Sequence, residues 1–134
     1  DVVKIKKKIV DDIQNSIFAV DALIVKTKNI LSDTKTRFHS LEPPHEGTFS
    51  SLIAFEDMKK AFRLEIETLI ATLTSYQNQK SRLLRELKEA NAEFEKMKHL
   101  DDEEILKIMK ARAVKESKEL DEIGVMLYNN RSED

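Results

Sequence analysis

Three histidines, His39, His45 and His99, and the acidic pair Asp101-Asp102 that follows the last of them are the side chains best suited to hold a metal ion. A site built from imidazole and carboxylate needs donors spaced so that several meet at one point, as two histidines four apart on a helix do. These three have no such spacing, and adjacent acids at a helix start ordinarily cap it. Ser50 and Ser51 offer hydroxyls, but no His-Asp pair stands where sequence alone would place it to activate them. Two glycines cannot build a phosphate-cradling loop of the usual kinds. Lys4, Lys6, Lys7 and Lys8 would suit an acidic lipid or partner, yet they alternate with Ile5 and Ile9 as the solvated flank of an amphipathic helix does. Tyr76 lies on an apolar stripe and reads as a core residue with its hydroxyl at the rim. The expectation is a non-enzymatic chain with no cofactor and no metal.

Composition points to helices that must position whatever function there is. Of 134 residues, 36% are charged and 6% aromatic, and two glycines and two prolines leave too few breakers for a sheet-rich fold. The 23 basic and 25 acidic side chains are interspersed, so no field steers a polyanion and nucleic acid is not expected as a partner. No apolar run approaches the roughly 18–20 residues of a bilayer span, which leaves membrane association only through partners. The absence of cysteine removes disulfides and thiolate chemistry together.

The spacing predicts three helices. The first covers residues 2–38, with Val2, Ile5, Ile9, Ile13, Ile17, Val20, Ile24, Leu31 and Phe38 on one face and Thr27 and Thr34 filling in. Its β-branched residues give mediocre propensity, so burial must hold it. Pro43, Pro44 and Gly47 make residues 39–50 a loop, after which Thr48, Ser50 or Ser51 caps the next helix, with Ser51 fitting best. The second helix, 51–98, carries the longest stripe: Phe55, Met58, Phe62, Ile66, Leu69, Leu73, Tyr76, Lys80, Leu83, Leu87, Ala90, Phe94 and Met97. It would be roughly 70 Å long at ~1.5 Å per residue, and the four-four spacing of Met58, Phe62 and Ile66 implies a local drift of the seam. Asp101 and Glu104 form a capping box that opens a third helix, 102–129, with Leu106, Met109, Ala113, Leu120, Ile123 and Leu127 on its stripe and Glu116 interrupting. Leu23, Ile30, Leu64, Ile70 and Leu84 flank the seams, which favours a self-contained bundle over a two-helix seam. The expected fold is all-α: an elongated antiparallel three-helix bundle, a coiled-coil-like arm forming one domain over residues 1–134.

The chain resembles the second arm of the V-shaped domain of ALIX and its relatives, Bro-domain adaptors of the endosomal sorting (ESCRT) pathway. The resemblance rests on Val2-Val3, Ile13, Leu23, Lys28, Asp33 and Phe38 in the first helix and on Glu93-Phe94-Glu95-Lys96-Met97-Lys98 in the second. Glu103-Glu104-Ile105-Leu106-Lys107 and Gly124-Val125-Met126-Leu127-Tyr128-Asn129 carry it in the third. It implies part of a larger V-shaped domain, cytoplasmic and endosome-associated, that binds YPXL-like tyrosine peptides or ubiquitin in cargo sorting. Leu127 stands where that family has an aromatic residue, and Arg131 where it has a leucine.

Two function classes follow. One is the adaptor, whose groove would run along the thin stripe of the third helix near Val125, Leu127 and Tyr128, with Arg131 one turn on. The alternative is a structural coiled-coil subunit of a multiprotein tethering or scaffold assembly, whose stripes pair with other chains.

Overall fold

The protein, as a computed structural model, is described over residues 1–45 and 47–133. It is all-α, with two long helices, α1 (Val2–His39) and α2 (Phe49–Glu133), and no strand among the described residues. The three-helix bundle expected from the sequence is not what forms. Residues 98–102 stay helical, because no glycine or proline interrupts them and His99, Asp101 and Asp102 each lower helix propensity by only fractions of a kcal/mol, with the strong helix former Leu100 among them. His99 pairs through Nε2 with Glu103 Oε1 at 3.2 Å, one turn on, support that continuing the helix provides. A capping-box sequence acts as a start only where the preceding chain leaves the helix, and here nothing makes it leave.

Two compact units result: residues Lys8–Ala90, and Asp1–Lys7 with Asn91–Asp134. In the first, α1 and α2 form an antiparallel hairpin. Val10, Ile17, Val20, Ile24, Thr27, Leu31 and Thr34 are buried on α1, a strict alternation of threes and fours once half-buried Ile13 and Phe38 are included. The facing stripe on α2 is half-buried at Phe55, Lys59, Phe62, Ile66, Leu69, Leu73, Tyr76, Lys80, Leu83, Leu87 and Ala90. Lys59 takes the position expected of Met58, which is exposed, so the seam has no drift. The lysine satisfies a seam position by lying along it: Nζ sits 5.1 Å from the Phe55 ring centroid and 3.2 Å from Glu56 Oε1, its stem covering apolar surface.

Two cross-helix contacts fix the register. Phe38 and Phe62 meet with ring centroids 6.3 Å apart, and the Arg63 guanidinium lies 5.8 Å from the Phe38 ring. Lys80 Nζ, inside the seam, reaches Asp21 Oδ1 at 2.7 Å. A charged seam residue with one matching partner on the facing helix is a register device: sliding the helices by a heptad would set Gln14 or Lys28 where Asp21 stands and leave Lys80 without its carboxylate.

Thr27 and Thr34 are buried because their hydroxyls are satisfied within α1. Thr27 Oγ1 donates to Leu23 O at 2.7 Å and Thr34 Oγ1 to Ile30 O at 2.8 Å, as threonine in a helix can. Thr34→Val exchanges a self-satisfied hydroxyl for a methyl at a position 1% exposed and should raise stability by about 1 kcal/mol. Thermal denaturation checks it; a lower melting temperature would show that the hydroxyl holds the seam.

Both helix starts are capped. Val3 N–H donates to Asp1 Oδ1 at 3.0 Å. At α2 the cap is Thr48 and not Ser51: the Ser51 N–H donates to Thr48 Oγ1 at 3.3 Å, and the Ser51 hydroxyl donates back to Thr48 O at 2.9 Å. Ser51 therefore stands three residues inside the helix, which begins two residues earlier than its stripe suggests.

In the second unit the first turns of α1 meet α2 through Lys6 Nζ, 4.0 Å from Glu93 Oε2, and Lys7 Nζ, 5.6 Å from the Phe94 ring centroid. Val3 and Lys6 are half-buried there, while Val2, Ile5 and Ile9, expected in the stripe, are exposed. The three-four rhythm running back from Ile17 lands on Val10, Lys6 and Val3, so regularity of spacing prevails over side-chain hydrophobicity. The basic run thus supplies one seam residue and one aromatic contact.

Candidate partner-binding surface

From Leu100 to Arg131 every residue of α2 is exposed. The stripe of Leu106, Met109, Ala113, Leu120, Ile123 and Leu127 is consequently uncovered, with Leu106 51%, Leu120 68% and Leu127 60% exposed. Spacings of three and four put these residues along one side of the helix, with Glu116 completing the rhythm. Lys110, Arg112, Glu119 and Arg131 border it, one position to either side of the stripe on the helical wheel. Gly124 also borders it, with open space where a side chain would stand.

The four residues singled out from the sequence fall in this segment and are all exposed, but the helix does not bring them to one face. Leu127 lies on the stripe with Arg131 beside it, one turn on. Val125 and Tyr128 are turned toward the other side, about 60° from each other and at least 100° from Leu127 at the ~100° step of an α-helix. Sequence reasoning passed over Leu106, Met109, Leu120 and Ile123 as ligand contacts because it took them for core. The available signal was stripe width: two apolar positions per heptad suit a seam with one other helix, not a place in a three-helix core.

The hairpin leaves further apolar residues open. Leu23, Ile30, Ile70 and Leu84, read as contacts to a third helix, are 40–46% exposed, since no third helix covers the sides of the two-helix seam. A shallow hollow on α1 is lined by Ala22, Val25, Lys26 and Ile30, and a more polar one on α2 by Thr74, Asn78, Gln79 and Arg82. Neither gathers groups for chemistry. His39 packs edge-on against Phe38, and no group of three metal-ligating side chains occurs among the described residues. No helix among them is long and apolar enough to cross a membrane.

Paired heptad helices with an apolar stripe left open define a protein of the coiled-coil class. Residues 1–133 match the flagellar FliJ protein family, and the chain belongs to it. No curated protein and no solved structure matches the chain. Membership overturns the resemblance to the V-shaped arm of the ALIX-like adaptors, and with it the ESCRT role, the endosome association and ubiquitin binding, and it leaves the YPXL-peptide partner without support. The physical reason is that short pieces such as Glu93–Lys98 and Gly124–Asn129 consist of residue types common to any heptad helix, and their order along a helical chain carries little information.

Proposed function

We propose that the protein is a non-enzymatic structural subunit of the bacterial flagellar export apparatus, acting on the cytoplasmic side by docking other subunits onto its helices. Family membership over residues 1–133 supports the flagellar assignment. The single observation carrying the docking role is the uncovered stripe from Leu106 to Leu127, since monomeric proteins rarely keep so long an apolar surface unless a partner covers it. Leu127 and Arg131 belong to this surface, while Val125 and Tyr128 on the other side offer a second contact. Deleting the gene in its flagellated host should abolish filaments, and supplying the chain in trans should restore them, as counted by electron microscopy. Normal filaments in the deletion strain would refute the assignment.

A further inference from the structure

We propose that the stripe on residues 106–127 takes one α-helix of a partner protein, an amphipathic helix with acidic flanks and a single lysine or arginine in its own apolar seam facing Glu116. This deepens the docking role proposed above and rests on it. The width of the stripe sets the number of helices: two seam positions per heptad, apolar except at Glu116 and on a strict three-four alternation, form a seam with one partner helix.

Glu116 sets the chemistry at the centre of that seam. Covering its carboxylate with apolar side chains would strand a charge away from water, which is strongly unfavourable. A cation supplied by the partner removes the penalty. The hairpin of the same chain contains the complementary arrangement, in which the seam residue Lys80 is met by Asp21 of the facing helix at 2.7 Å. The borders of the stripe give the charge of the partner's flanks. Lys110, Arg112 and Arg131 outnumber Glu103 and Glu119 along it, so acidic flanks are attracted and basic ones repelled.

A second copy of the chain is a poor occupant of the whole stripe. Parallel and in register, it would set Glu116 against Glu116. Antiparallel with the stripe fully overlapped, it would bring Lys110 beside Arg131 of the other copy and Glu119 beside its own counterpart. Both arrangements place like charges together where pairing should be strongest.

The test uses the full chain and two labelled synthetic helices of four heptads with leucine seams. One has glutamate flanks and one seam lysine at the Glu116 position; the other has lysine flanks and a seam glutamate. Fluorescence anisotropy should show the first binding at least about tenfold more tightly. Leu120→Asp should weaken it by at least about tenfold with circular dichroism unchanged, and Glu116→Lys should reverse the preference when only the seam residue of the peptide is exchanged. Equal binding of both peptides, or binding indifferent to Leu120→Asp, overturns the proposal. So does a concentration-dependent dimer in sedimentation equilibrium that Leu120→Asp abolishes, which would assign the stripe to a second copy. So, finally, does binding to anionic lipid vesicles in preference to either peptide. None of these outcomes bears on the deletion experiment, which tests the flagellar assignment separately.

Discussion

Ile24→Ala should lower the stability of the residue 8–90 hairpin by about 2–5 kcal/mol. Ile24 lies mid-seam and is 8% exposed, between the register-setting contacts at Asp21–Lys80 and Phe38–Phe62. With one facing helix and no second layer, few side chains can move in to fill the space. A domain of this size holds roughly 4–12 kcal/mol in total, so the melting temperature should fall by roughly 8 °C or more. Leu23→Ala provides the comparison. Leu23 precedes Ile24 in sequence but is 40% exposed on the open side of the seam, and its truncation should change stability by less than about 1 kcal/mol. Equal effects at the two positions would show that the seam is not where the structure places it.

Lys115→Pro should have a comparably large but different effect. Lys115 is in the exposed part of α2, and a proline there removes a backbone donor and clashes with the carbonyl four residues back, disfavouring the helix by about 3 kcal/mol. No tertiary packing compensates, since residues 100–131 are all exposed, and Gly124 already weakens the downstream turns by about 1 kcal/mol. Ellipticity at 222 nm should drop, while the hairpin transition followed at higher temperature stays where it was. Because the stripe would no longer lie on one continuous face, filament assembly should be lost in the host. Wild-type filament numbers with a broken distal helix would remove residues 106–127 from the functional account.

Helix type, the Pro43-Pro44 loop and most of both long seams were legible in the sequence, because a three-four apolar rhythm over many turns admits few other structures. What was not legible involved competition between two regular patterns. At Ile5, Ile9 and Met58 the more hydrophobic residues lost to Lys6, Val10 and Lys59, and at Val2 an identical side chain lost to Val3, since a continuous seam buries more than its individual best members. Lysine is easily misjudged in such positions because its stem can pack while its ammonium reaches water, an aromatic face or an acid. Asp101 and Glu104 misled in another way. A cap signature is local, whereas whether a helix ends is decided by what its continuation would lose, and nothing there made continuation costly. The exposure of the candidate surface was legible only in part. Leu127 lies on the open stripe and Arg131 at its border, but the residues before them were assigned to a core because the flanking Leu23, Ile30, Ile70 and Leu84 suggested a third helix to bury. Those flanks are instead surface of a two-helix seam.

The proposed function assigns flagellar assembly to the uncovered stripe and not to the hairpin core. Secreted flagellin in the growth medium of a deletion strain complemented with Leu120→Asp/Leu127→Asp measures it most directly, alongside circular dichroism of the purified variant. Both leucines are exposed, so helicity and melting temperature should match the wild type while secreted flagellin falls to the level of the uncomplemented deletion. Secretion at the wild-type level by a correctly folded double variant would contradict the account.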